Sequence, residues 1–327
     1  MSVQFTQLIL NEISLDNSGF SFSPALLELL QLAQLVLNGI SLGSIIALGS
    51  VGLTLTYGVL RLSNFAHGDF MTLGAYATFL ANSLGINIWL SMMVGAVVTI
   101  AAFLLTEKLI WAPMRVRRAA PATLIIISIG LALFLRNGII LIWGGSNQRY
   151  NLPVAEALEF ASLRLPLYDL VVIGMAIAAI GGLHYLLQNT KIGKAMRAVA
   201  DDLDLARVAG IKVDRVIFWT WIIAGGLTAL GGSMLGLVEA VRPNMGWFLI
   251  LPMFAAVILG GIGNAYGAIV GAVIIGIAQE ASTYCPSWLP SWLSQFCIRN
   301  EYKLAVALFI MMLVLLVRPQ GLFKGTM

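Results

Sequence analysis

The sequence predicts an all-α, polytopic bundle of membrane-spanning helices, about eight to ten spans with some of them broken. Three observations carry this. Of the 327 residues, 59% are hydrophobic and only 10% are charged, against roughly 25% charged in soluble domains. Mean hydropathy is +0.92. Apolar runs of roughly 20 residues, the length that crosses a bilayer as a helix, recur between short polar breaks. So few charges cannot clothe a water-facing surface, so the chain reads as one helical domain in lipid.

The spans fall at about 29–57, 66–84, 88–110, 122–143, 168–187, 216–236, 247–262, 265–282 and 302–317 by the length rule. The first is too long for a simple crossing. The seventh is short and contains Pro252. A broken or re-entrant helix is therefore expected at both places. The N-terminal stretch has no basic region and no clear cleavage site, so it does not read as a signal peptide. Its charges, Glu12 and Asp16, leave it free to be translocated.

The net charge of +4 is spread over loops, which marks topology rather than nucleic-acid binding. The loop Arg115–Arg118 is strongly basic and belongs on the cytoplasmic side by the positive-inside rule. Alternation then puts Arg61, residues 188–215, the 260–264 turn and the C-terminal tail on that side as well. The N-terminus and residues 144–167, 237–246 and 283–301 fall outside. Every dense basic cluster lands inside without adjustment.

The polar island KIGKAMRAVADDLDLARVAGIKVDR, residues 191–215, interrupts this pattern. It interleaves six basic residues, Arg197 among them, with Asp201, Asp202, Asp204 and Asp214. Asp201 and Asp202 can start a short helix, because an Asp at that place accepts orphan backbone N–H bonds. Gly210 can end it by supplying a left-handed turn. Ala206 and Ala209 are small enough to allow close approach. A helical knob on the cytoplasmic side is something a soluble protein can grip.

Glycines recur at helix-packing intervals. Gly263, Gly267 and Gly271 read as one face of a helix, and Gly232 with Gly236 and Gly39 with Gly43 repeat the spacing. Small residues four apart let helix backbones approach closely in lipid.

Ionisable groups at membrane depth are costly and are candidate functional residues. Arg136 with Asn137 interrupts a long apolar run; it either serves the pathway or snorkels to the interface. Asn64, His67 and Asp69 crowd a break between two apolar helices, RLSNFAHGDF, where a half-helix end can meet a polar substrate. Asp69 reads more simply as a turn residue capping the second span. Glu107 with Lys108 reads as a local pair at a membrane edge. Glu239 and Arg242 follow span six on the outside, as a vestibule or a solvated pair.

His67 and His184 are the two histidines, and neither has a partner at a metal-ligand spacing. No metal or other cofactor is expected. There is no G-x-x-x-x-G-K-[ST] phosphate loop, and no nucleophile–base set. Any nucleotide hydrolysis must come from a partner. Cys285 and Cys297 share one predicted outer loop, where they are either bridged or two free thiols. Between them, Trp292, Leu293 and Phe296 make one face of a small interfacial helix, with Trp288 as an anchor.

Taken together, these motifs resemble a known family. NGISLGSIIALGSVGLTLTYGVLRLSNFAHGDFMTLGAY (38–76), GKAMRAVADDLDLARVAGIKVDRVIFWTWIIAGGLTALGGSMLG (193–236), LGGIGNAYGAIVGAVIIGIAQE (259–280) and LVRPQGLF (316–323) look like a branched-chain amino-acid ABC transporter permease of the LivH type. The resemblance covers nearly all of the chain after about residue 30 and implies no catalytic activity of its own. It implies 29–327 as the transmembrane permease domain of a bacterial inner-membrane protein, and the charge rule then makes residues 1–28 a periplasmic N-terminal extension. The partners implied are a second permease, expected to be a different, LivM-type chain, two cytoplasmic ATP-binding subunits and a periplasmic substrate-binding protein. The 193–215 loop, with Arg197, Asp201, Asp202, Ala206, Ala209 and Gly210, then reads as the ATPase contact. Asn64, His67, Arg136 and Glu239 read as the translocation pathway. The chain departs from the family pattern at Pro252, often Lys, at Arg242-Pro243, often Asn-Pro, and in its N-terminal extension and 285–297 loop. Two alternatives stay open: a urea or short-amide permease of a sister branch, and an ion-coupled secondary transporter. The latter needs carboxylates deep in the spans.

Overall fold

The computed structural model describes residues 24–152, 157–160, 163–285, 297, 299–318 and 320–323. Its helices follow the expected order. They are α1 (Pro24–Leu60), α2 (His67–Ser83), α3 (Ile88–Thr106), α4 (Ala112–Val116), α5 (Pro121–Trp143) and α6 (Leu167–Asn189). Then come α7 (Lys191–Asp201), α8 (Leu203–Val208), α9 (Val213–Val238), α10 (Met245–Gly260), α11 (Ala265–Ala281) and α12 (Lys303–Val317). A π-helical turn, Glu107–Trp111, joins α3 to α4. A small antiparallel hairpin, β1 (Ala157–Phe160) with β2 (Leu163–Pro166), precedes α6. Among the described residues, six stretches are long and apolar enough to cross a membrane: Glu28–Leu60, Ile88–Val116, Pro121–Trp143, Leu167–Asn189, Val213–Val238 and Asn300–Val317. Helices α10 and α11 are shorter but also apolar.

The helix starts follow local chemistry. Asn87 caps α3 by accepting from the Trp89 N–H at 3.0 Å. Asn264 caps α11 by accepting from Tyr266 and Gly267 at 3.0 and 3.1 Å. Pro121 sits at the first helical position of α5, where its missing N–H costs nothing.

The break expected in the first span does not occur: α1 is one continuous helix of 37 residues. At 1.5 Å per residue it is about 55 Å long, well beyond a hydrocarbon core of about 30 Å. It tolerates this length because it is the core of the bundle, packed against α6, α9, α10 and α11. From Ser41 to Thr56 nearly every residue is buried, as befits a helix apolar on all sides. Pro252 likewise interrupts nothing; it lies inside a continuous α10. There Ser50 donates to the Met253 carbonyl at 3.3 Å. Helices α3, α5, α6 and α12 carry apolar outer surface, with Met93, Phe134, Leu141, Ile177 and Leu316 all well exposed.

Most of the predicted glycine packing is present. A Cβ on Gly39 or Gly43 would meet the α11 backbone at Ile277 or Val273, and one on Gly232 would strike the Met71 carbonyl of α2 at 2.0 Å. Gly267 and Gly271 lie against the Gly260 and Ala256 carbonyls of α10, and Gly236 against Tyr150 and Val241. Gly263 is a correction. It precedes α11 rather than continuing its face, and its φ of +89° shows it serving the turn.

Contacts sort the connections into two ends, grouped as the charge rule grouped them. At the basic end, Arg61 reaches the Ala200 carbonyl at 3.2 Å, and Leu322 and Phe323 donate to Leu259 and Gly260. At the other end, Gln148 pairs with Val241, Asn151 donates to Asn82, and Cys285 is bonded to Cys297. The expected interfacial helix around Trp288, Trp292, Leu293 and Phe296 lies outside the described residues, as does nearly all of the N-terminal extension.

Candidate functional site

Residues 61–66 leave α1 at the basic end and run inward, and α2 begins beside the middle of α1. The evidence is His67, whose Nε2 lies 3.0 Å from both the Gly49 carbonyl of α1 and the Thr228 hydroxyl of α9. With 17 residues, about 25 Å, α2 is too short to span, and the 61–66 segment supplies the rest. The break predicted at Asn64–Asp69 is thus a half-helix start inside the bundle. Asn64 shapes it by accepting from Ala66 N–H at 3.1 Å while its carbonyl accepts from His67 N–H.

The hydrogen bonds assign the His67 tautomer. A carbonyl only accepts, so Nε2 carries the proton given to Gly49. Thr228 already donates to Ala224 at 2.6 Å, so toward His67 it is an acceptor. His67 Nδ1 and Asn64 Nδ2 are both buried and find no partner among the described residues.

One turn on, Asp69 is fully buried and does not cap α2, whose N-cap position is Ala66. It accepts two bonds from Arg136 of α5, at 3.0 Å from Nε and 3.1 Å from Nη2. This fork is the strongest geometry available to an Arg–carboxylate pair. The Arg136 guanidinium also lies 4.5 Å above the Trp247 ring, so its other face is covered as well. Arg136 therefore does not snorkel away; it crosses inward to α2. The same spot joins two helix starts. Gly68 and Gly246 approach so closely that a Cβ on either would strike the other's carbonyl, and Gly246 N–H donates to Thr72 at 3.0 Å. Sequence reasoning had noted Asp69 and Arg136 separately. It missed their pairing, together with Thr72, Thr228 and Trp247, because nothing local links positions so far apart in the chain.

Glu239 does not join this cluster. It stands exposed at the end of α9, in the loop at the opposite end. Glu107 is a second correction: its partner is not Lys108. It accepts from both terminal guanidinium nitrogens of Arg115, across the π-helical turn, and from the Trp221 indole of α9 at 2.8 Å. Such turns often mark functional places in a helix. At the opposite end, burial pushes the Tyr150 phenol well above its usual range; its hydroxyl donates to the Ala75 carbonyl at 3.3 Å.

At the basic end, α7 lays Gly193, Met196 and Val199 against the bundle and turns Lys194 and Asp201 outward. Arg197 donates to Gln188 at 3.0 Å. Asp202 caps α8, accepting from Asp204 and Leu205 N–H at 2.9 Å each, and Gly210 ends the knob with φ +84°. Ala209 is exposed. Ala206 is the correction: it is 4% exposed and faces its own chain. What α8 presents outward is Leu205 at 67% and Val208 at 87% exposure, beside the charged Asp204 and Arg207.

Comparison with known proteins places this arrangement. The chain is 32% identical over 312 residues to the high-affinity branched-chain amino acid transport system permease protein LivH of Escherichia coli, covering 90% of this chain and 96% of that one. It is 31% identical over 300 residues to the probable branched-chain amino acid transport permease protein LivH of Methanocaldococcus jannaschii, covering 88% and 92%. Among solved structures it shares its fold with a putative metal-chelate type ABC transporter described as inward-facing. That match has a TM-score of 0.50 at 17% identity and covers 96% and 97% of the two chains. The family described as the permease component of the branched-chain amino acid transport system matches residues 35–315, and the chain belongs to it.

Proposed function

We propose that this chain is the membrane-spanning subunit of an ABC importer for branched-chain or other neutral amino acids. It works with a second permease, two cytoplasmic ATP-binding subunits and an external substrate-binding protein. The basic end faces the cytoplasm in this reading, which the distribution of Lys and Arg supports.

The observation that supports this most is the α7–α8 knob. It is capped at both ends by its own side chains and backbone, and it holds Leu205 and Val208 out at the basic end. Exposed apolar side chains on a rigid helix suit insertion into a cleft of a partner. A short turn through Gly210 joins the knob to α9, which runs past His67 at Thr228. Motion imposed on the knob by ATP binding therefore reaches the half-helix start of α2. The Asp69–Arg136 pair, Asn64 and His67 line the seam at which alternating access would rearrange the bundle.

The secondary-transporter alternative needs carboxylates free to take a coupling ion. Asp69, Glu107 and Glu280 are instead paired with Arg136, Arg115 and Lys303, while Asp169 accepts from the Ser41 hydroxyl at 2.5 Å. The test is ATP-driven uptake with Leu205→Asp/Val208→Asp. Normal insertion with uptake and stimulated ATP hydrolysis both lost is the expected result. Wild-type uptake would remove the knob from the mechanism.

A further inference from the structure

At the foot of α9 a pocket of about 210 Å³ opens between the start of α7 and the first turns of α9. Its floor is apolar, from Ile192, Val216 and Trp219. Its rim carries Lys191, Lys212 and Arg215. All three cations are exposed, and none forms an ion pair with a carboxylate among the described residues. Asp214 stands beside Arg215 in the chain, yet it too makes no ion pair there. Trp219 is 36% exposed, in the second turn of a helix long and apolar enough to cross a membrane. Indoles favour that headgroup depth.

We infer that this pocket binds one anionic phospholipid, with its phosphate among Lys191, Lys212 and Arg215 and an acyl chain along Ile192, Val216 and Trp219. Charge and shape agree on this occupant. Three cations without a carboxylate partner among the described residues line a pocket whose other lining is apolar, and Phe218 and Trp219 of α9 are exposed beside it. A free phosphate would use the rim and leave the floor exposed. Basic pockets between helices near the cytoplasmic surface are the sort of place where lipid headgroups lodge. The site bridges α7 and α9, so an occupied pocket ties the proposed coupling knob to the transmembrane bundle. This inference rests on the proposed reading in placing the pocket at the headgroup level of the cytoplasmic leaflet.

The experiment is native mass spectrometry of the purified full chain, delipidated in detergent and titrated with phosphatidylglycerol or phosphatidylcholine. The wild type should retain one phosphatidylglycerol at least about tenfold more tightly than phosphatidylcholine. At a contribution of about fivefold per basic residue near the headgroup, Lys191→Gln/Lys212→Gln/Arg215→Gln should reduce the preference to about twofold or less. Lys191→Arg/Lys212→Arg should keep it. If the triple variant does not fold, the three single Gln variants carry the test, each expected to lose about fivefold. No preference in the wild type overturns the site. Displacement of the lipid by millimolar inorganic phosphate would mark a free-anion site and overturn it too. So would an unchanged preference in the triple variant accompanied by failure to assemble with the ATP-binding subunits, since the cations would then serve the partner protein. Detergent binding does not depend on sidedness, so a reversed orientation would surface separately, as labelling of a cysteine at position 204 from outside intact cells.

Discussion

Arg136 forks onto Asp69, closing two charge-assisted bonds of 3.0 and 3.1 Å between α5 and the start of α2. The pair is almost completely shielded, with side-chain exposures of 13% and 1%. Attraction offsets the cost of removing both charges from water only while both are present. Asp69→Leu or Arg136→Met alone should therefore cost about 3–5 kcal/mol, and the double substitution should recover most of it. Thermal unfolding of the purified variants in detergent gives the cycle. Additive losses would show that the two charges do not act as a pair.

Glycine positions make a contrast within one molecule. Gly267 faces the Gly260 carbonyl, which an added Cβ would approach to 2.2 Å, whereas Gly130 on α5 has nothing within 4 Å. Gly267→Val should destabilise by about 3 kcal/mol or more, because backbone rather than a movable side chain must yield. Gly130→Ala should be neutral or gain up to about 1 kcal/mol from helix propensity. Equal melting temperatures for the two variants would refute the close α10–α11 packing.

The bond between Cys285 and Cys297 gives a chemical test. In denaturant without reductant, an alkylating reagent should modify neither thiol; after reduction it should modify both. Uptake should survive Cys285→Ser/Cys297→Ser, since the bridge lies at the end of the bundle away from the knob. Full alkylation without reductant would remove the bridge.

Much of this was legible in the sequence, for identifiable reasons. Span positions followed from apolar run length, and Asp202 and Gly210 marked the ends of α8 because capping is local chemistry. What failed was long-range. Ala206 was expected to receive a partner because it is small, yet whether it faces in or out depends on how α8 lies on the bundle. The continuity of α1 was missed because its length looked excessive for a lone span, and a central helix is not bound by membrane thickness. Asp69 read as a turn residue because its partner sits on α5, brought near only by the fold.

The orientation of Ala206 also yields a test. Ala206→Trp should lower the stability of the isolated permease, because the side chain has no room against its own chain. Leu205→Asp and Val208→Asp should leave that stability within about 0.5 kcal/mol, as exposed positions do. If Ala206→Trp melted like the wild type, the side of α8 turned toward the bundle would have been misjudged.

The central claim is tested most directly by reconstituting the chain in proteoliposomes with the proposed partners, a second permease, ATP-binding subunits and a substrate-binding protein, and measuring uptake of radiolabelled leucine. Accumulation should require both ATP and the binding protein, and should be abolished by Leu205→Asp/Val208→Asp at unchanged protein level. Accumulation driven by a proton or sodium gradient without ATP, or left intact by that double substitution, would contradict the account.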